Sequence, residues 1–528
     1  MARFLPRANL RPASRGRNLR RTPRQTLAFL AALAIGSPSP AASGGEPPDL
    51  APSGILVPIS QRVEGLQWTI GGKSAIAGFV SGNTNFGAGR IDPDGTNTGD
   101  TSWFEGYLLP NTRFVFGERG FGSFYGTVAP VFTLTRGEGD AAGFTRSPNW
   151  DADVEELFLG WNSGDLLHPR NSIDVSLGRQ EFHIGDEFLI GNGNFDANRD
   201  GIYWLGPRRS FDRAAIVRLG TAPAFGSRRG FALERGVDTE PVRGDLFYLK
   251  GDRDFESTEL VGGNLEYANG RLLGRWENLY LGGAESGRLG LTYVRVIDSD
   301  EIFKARKGMN AINVWANHVR ILEGVRGVPD LFLWGGYARE WGGENVDIDA
   351  SAWYAELGMR LERLLPGAPS LRYRYSRFSG DGDPADTTSR GYDPFFYGPT
   401  PNRGAPYGTW YQGEIVGEYL LFNTNLRAHM VHLNFWLEPG SHGRGLSLGL
   451  IYYNFLLDSE QYKGTPVTSR AFAHELDATA LWKRTFLGKL YVELSAVFAV
   501  AWPREAARQA FGSDDPYWLF EAYAFVQF

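Results

Sequence analysis

The sequence predicts an all-β chain, a single transmembrane antiparallel β-barrel of the kind that spans a bacterial outer membrane. Three observations predict it. The first is texture. The 528 residues include 68 glycines, 14% aromatics and no cysteine. Apolar residues come in short, evenly spread runs, as many strands joined by Gly-rich turns require. The second is alternation. Within residues 351–361, Trp353, Ala355, Leu357, Met359 and Leu361 are apolar, while Tyr354, Glu356, Gly358 and Arg360 are small or polar. A barrel turns the first row to lipid and the second to lumen water. The third is the segment FEAYAFVQF at 520–528, where Phe520, Ala522, Ala524, Val526 and Phe528 share one face. An alternating last strand closing on phenylalanine looks like the assembly signal of outer-membrane barrels.

Taken in order, residues 1–24 carry eight arginines and no acid, 26–35 are apolar, and Ala41, Ala42 and Ser43 are small. This predicts a secretory signal peptide over 1–43, with an apolar run too short to cross a bilayer as a helix. Losing those arginines moves the net charge from −6 to −14. The Pro- and Gly-rich residues 44–65 read as an extended periplasmic lead-in, and the barrel fills 66–528. Strands are expected at 74–81, 112–116, 123–135 and 154–162, with polar loops such as 91–100 and 137–151 between them. Residues 260–267 and 271–280 flank Asn269-Gly270, which suits a hairpin with a type I′ turn on the periplasmic side. Strands follow at 289–296, 310–321 and 330–339. In 371–375, Leu371, Tyr373 and Tyr375 share one face, and Arg372 and Arg374 the other. A long polar loop at 378–410 is extracellular or folded inward. The last third offers strands at 425–437, 446–456, 476–482 and 490–500. Trp353, Tyr373 and Trp502 would sit in interfacial girdles. At roughly 9–11 residues per strand, the mature length suits 16 to 18 strands.

Composition excludes some functions. An acidic mature chain is a poor nucleic-acid binder, and without cysteine there is no disulfide framework. None of the seven histidines falls in a nucleophile motif, so no enzyme is expected. His429, His432 and His474 read as lumen or girdle residues.

The candidate chemistry is concentrated in residues 172–219. A strand with Ile173, Val175 and Leu177 on one face and Asp174, Ser176 and Gly178 on the other leads into a Gly- and Asn-rich loop. The chain returns through RRSFDR, placing Arg208, Arg209 and Arg213 within six residues. Arg218 lies on the less apolar face of the next strand. With Arg372 and Arg374 these are the predicted lumen cations. A guanidinium grips a carboxylate through two parallel hydrogen bonds, and a ladder of them gives an anion successive weak sites. The plain reading is that they pair with acids of neighbouring strands and fill the lumen. Arg179 falls on the lipid face by strict alternation, so it must sit past the membrane edge, after a bulge, or the phase must flip at Gly178. Glu181 and Asp186 are its expected charge partners. Asp196, Asn198 and Asp200, with Gly201, match half of a calcium loop, although Pro207 stands where the last ligand belongs. Short Asp/Asn runs before Gly are also common in loops.

GRQE at 178–181, GDEFLIGN at 185–192 and RRSFDRAAIVRL at 208–219 resemble the signature of the alginate-export family of outer-membrane porins. RYSRFSGDGDP at 374–384, YDPFF at 392–396 and WYQGE at 410–414 extend the resemblance over about residues 60–528. It implies a monomeric barrel of about 18 strands in outer-membrane lipid. It also implies an arginine-lined constriction, Arg179 included, that passes an anionic polysaccharide such as a polyuronate by diffusion, and a periplasmic secretion complex as partner. The alternative is a substrate-specific uptake porin for small organic acids or oligosaccharides.

Overall fold

The computed structural model describes residues 66–528 apart from 92–96, 119–121, 144, 146, 164–171, 195–201, 203, 222–241, 252–256, 270–274, 279–282, 302, 323–329, 362–364, 366–368, 398–411, 438–444 and 487–489. The expected signal peptide, the lead-in and the half calcium loop at Asp196, Asn198 and Asp200 lie outside the described residues. Among the described residues, no group of three or more His, Asp or Glu side chains is arranged to hold a metal.

Eighteen antiparallel strands close into one barrel. They are β1 (Leu66–Gly82), β2 (Thr101–Glu118), β3 (Gly122–Gly137), β4 (Asn149–Asn162), β5 (Ser172–Gln180) and β6 (Phe211–Thr221). Next come β7 (Val242–Lys250), β8 (Glu259–Ala268), β9 (Arg288–Asp298), β10 (Met309–Leu322), β11 (Asp330–Gly342) and β12 (Asp347–Arg360). The rest are β13 (Ser370–Phe378), β14 (Leu426–Trp436), β15 (Gly445–Leu457), β16 (Ala471–Phe486), β17 (Leu490–Pro503) and β18 (Tyr517–Gln527). Each strand pairs with its sequence neighbours, and β1 closes the ring on β18 from Lys73–Gln527 to Gly82–Trp518. Closure leaves no edge, which lipid demands, because an unpaired backbone group finds no water there.

The alternation sorts the side chains as expected. Leu357 and Tyr373 point outward, 43% and 46% exposed, while Glu356, Arg372 and Arg374 point inward and are buried. Ile76, Leu108, Phe132, Leu265, Leu291 and Leu450 continue the outward apolar belt. No described helix is long and apolar enough to cross a membrane; the chain crosses with strands, as a barrel of the bacterial outer membrane. The two longest connections between barrel strands, 181–210 and 379–425, lie at the same end. In such barrels that end is extracellular.

One expectation is corrected. β8 pairs with β9, not with 271–280, and Arg275–Asn278 instead pairs with Gly283–Ser286 in a separate two-stranded ladder. Barrel register follows the lipid-facing row more than a local turn signal. β9 supplies Leu289, Leu291 and Tyr293 to that row, whereas 271–280 carries Arg275 and Glu277.

Candidate functional site

Two long connections fold into the barrel and narrow it. In residues 181–210, Phe182, Ile184, Phe188, Leu189 and Ile190 are buried. The Phe188 ring packs 5.2 Å from Tyr354 on β12 and 5.8 Å from Phe378 on β13. The second loop, 379–425, meets the first directly. Ile190 and Phe396 form a parallel bridge, and Gly191 and Asn192 donate their N–H groups to the Phe396 carbonyl at 2.8 and 3.1 Å. Trp204 of the first loop lies 4.3 Å from Tyr419 of the second, ring to ring.

Wall carboxylates hold both loops by their backbones. Glu105 on β2 accepts from Trp204 and Leu205 N–H at 3.1 and 2.9 Å. Glu155 on β4 accepts from Arg209 and Ser210 N–H at 2.7 and 2.8 Å. Glu340 on β11 accepts from Asp393 N–H at 3.1 Å. Glu475 on β16 accepts from Ile415 and Val416 N–H at 2.8 and 2.7 Å, at the start of a π-helical segment, Gly413–Leu421. Gly413 is required there: its φ is +92°, and a Cβ would meet the Glu475 carboxylate at 2.6 Å. These anchors escape sequence reading, because a wall glutamate looks like any other lumen polar residue.

The predicted cations divide between lumen and exterior. On β13, Arg372 Nε donates to Glu356 Oε1 at 2.8 Å, and Arg374 Nη1 lies 3.9 Å from Glu356 Oε2. Two buried guanidinium groups thus share this one carboxylate. Arg218 donates to Asp174 and Ser176, both at 3.0 Å. Arg208 is buried against Asp153 at 2.5 Å and Asp151 at 3.4 Å. Arg209 reaches Glu187 at 2.5 Å and the Gly191 carbonyl at 2.6 Å. Burial would lower its pKa, but Glu187, Glu181 and Glu155 outweigh it and hold the charge. Arg213 departs from the expectation. It pairs in register with Lys250 on the outward face, and its side chain is 60% exposed.

Arg179 lies at an irregular strand end. Gly178 has φ +128°, and the β5–β6 register shifts between Gly178 and Gln180. Arg179 is in register with Leu157 on β4; its Nε donates to the Glu155 carbonyl at 3.2 Å and its Nη1 lies 3.6 Å from Asp212. Asp186, expected beside Arg179, accepts instead from the Tyr354 hydroxyl. Burial pushes its carboxyl up to about 7, against the pull of backbone N–H groups and Arg374.

Sequence reading missed Arg306, between β9 and β10, which donates to Asp393 through two hydrogen bonds of 2.6 Å. The guanidinium stands 4.3 Å above the Phe303 ring. Burial would raise the Asp393 pKa, but Arg306 outweighs it and holds the carboxyl below its usual range. The partner lies 87 positions away, so no local motif marks it.

No protein-family model and no curated protein sequence matches this chain. Solved structures do. A BenF-like porin from Pseudomonas fluorescens Pf-5 is similar with a TM-score of 0.51 at 9% identity, over 87% of this chain and 98% of that one. OccAB2 of Acinetobacter baumannii is similar with a TM-score of 0.50 at 10% identity, over the same shares. At such identities the likeness is one of fold, an outer-membrane porin barrel.

Proposed function

We propose that this barrel is a substrate-specific uptake channel for small organic acids. The observation that carries the reading is the Arg372–Glu356–Arg374 group. Two buried lumen guanidiniums stand at this carboxylate on the wall where the docked loops narrow the passage. In such a constriction guanidinium groups offer paired N–H donors to a passing carboxylate. Likeness to porins of similar length supports a channel.

A second reading comes from the resemblance to alginate-export barrels: outward passage of a polyuronate along the same arginines, fed by a periplasmic secretion complex. The docked loops weigh against it, because a polymer needs a lumen open along its whole length. Entry into proteoliposomes separates the two. A small dicarboxylate entering faster than an uncharged sugar of equal size, with polyuronate oligomers excluded, supports uptake of organic acids. Passage of the oligomers would overturn that reading.

A further inference from the structure

The outward face of β12–β17 at the long-loop end carries charge that the lumen does not explain. Arg377 on β13 and Arg427 on β14 are register partners. They sit one outward step above Tyr375 and His429, on the face opposite Arg372 and Arg374. Both bind the same carboxylate: Arg377 Nε and Nη2 donate to Asp458 at 2.7 and 3.1 Å, and Arg427 Nε donates to it at 2.6 Å. Their side chains stay 36% and 31% exposed. Just past the end of β17, Arg504 donates to the neutral Asn454 side chain on β15 at 2.9 Å. Among the described residues, the one carboxylate bonded to any of these three guanidinium groups is Asp458. Two other outward cations are each matched with one carboxylate: Arg339 with Asp349 at 2.6 Å, and Lys250 with Glu259.

Beneath the arginines lies an aromatic belt with polar tips. The Tyr373 hydroxyl meets His429 Nδ1 at 2.8 Å, and the Tyr452 hydroxyl meets His474 Nδ1 at 2.9 Å. Trp353 packs 5.0 Å from Tyr375, and Trp502 is 42% exposed. Below the belt the face is apolar, with Val431, Phe435, Leu437, Leu448 and Leu450 exposed. On β14, His429 to Leu437 at about 3.4 Å per residue and about 40° of tilt covers about 21 Å. That nearly fills an apolar band of about 25 Å. Arg377 and Arg427 therefore stand at headgroup height, with apolar surface directly below for acyl chains.

We propose that this face binds a phosphate-bearing lipid of the outer leaflet. The phosphate sits between Arg377 and Arg427, within reach of Arg504, and the acyl chains lie along β14 and β15. Guanidinium N–H groups left over after Asp458 match phosphate oxygens in pairs. Asp458 orients both side chains while cancelling only one of the two charges.

The test is native mass spectrometry of the detergent-solubilised full chain, titrated with bis-phosphorylated lipid A and with the same lipid stripped of its phosphates. The phosphorylated lipid should bind at least about tenfold more tightly, the worth of one charge-assisted hydrogen bond. Arg377→Gln with Arg427→Gln should erase that margin, and Asp458→Asn should keep or widen it. Inorganic phosphate at equal molarity should not displace the lipid, since it lacks the acyl chains. Equal binding of the two lipids by the unaltered protein would overturn the proposal, even if the double variant failed to assemble. So would a folded double variant that kept the margin, or displacement by inorganic phosphate.

Discussion

β13 carries the same device on both faces. Inside, Arg372 and Arg374 share Glu356, and all three side chains are buried. Outside, Arg377 and Arg427 share Asp458, and both arginines are about one-third exposed. In each case two guanidinium groups meet at one carboxylate, yet the energetics differ. Inside, the carboxylate is structural, because removing it takes an acceptor from two desolvated charges. Outside, interfacial water screens the arginines, so the carboxylate mainly orients them. The same arrangement thus makes a selectivity element in the lumen and a headgroup clamp at the membrane edge.

The largest expected effect breaks the inner group. Glu356→Gln should cost about 3–5 kcal/mol, read as a lower urea midpoint for loss of the heat-modifiable folded band. Asp458→Asn should cost less, because both of its arginines keep contact with water. Equal losses would erase the contrast between the faces.

A smaller effect concerns the docked loops. Glu475→Ala leaves the Ile415 and Val416 N–H groups without their acceptor, at about 1–3 kcal/mol for each unsatisfied group. The π-helical segment should loosen, visible as larger single-channel conductance and faster proteolysis within 413–421. Unchanged conductance would mean that the segment does not restrict the passage.

The third effect is a pH dependence. Burial raises Asp186 from its usual 3.8 to about 7, with Tyr354, Arg374 and Glu187 around it. An acid whose folded pKa is raised stabilises the docked state fully below the unfolded value, and that contribution fades as pH rises through the folded value. Docking of residues 181–194 should therefore weaken between about pH 4 and pH 7, the interval between the two values, and conductance should rise. Asp186→Asn, which mimics the protonated form, should flatten that profile; a profile of unchanged steepness would assign it to another group.

The smallest expected effect is a control. Arg377→Gln should leave ion selectivity unmoved, because the side chain points out of the barrel. A shift as large as that of an inner arginine would show that the two faces are not electrically separate.

The fold was largely legible, because barrel alternation has a period of two and only two solvents to sort. The outward row of Leu357 and Tyr373 and the inward Glu356 and Arg372 follow from that period alone. Arg179 was legible as a conflict with strict alternation, at the strand end where Gly178 bulges. What could not be read is long-range. Glu105 holds an N–H 100 positions away, Arg306 finds Asp393 87 positions away, and the Asn269-Gly270 turn signal lost to barrel register. Arg213 failed for a local reason: an arginine-rich return at the barrel rim can face either way.

The most direct measurement is the reversal potential of the purified barrel in a planar bilayer with asymmetric salt, alone and as the Arg372→Gln, Arg374→Gln variant. Anion selectivity that falls toward neutrality in the variant is the result this account predicts. Cation selectivity, unchanged by the substitutions, would contradict it: the lumen acids would then set the field, and the arginines would be structural.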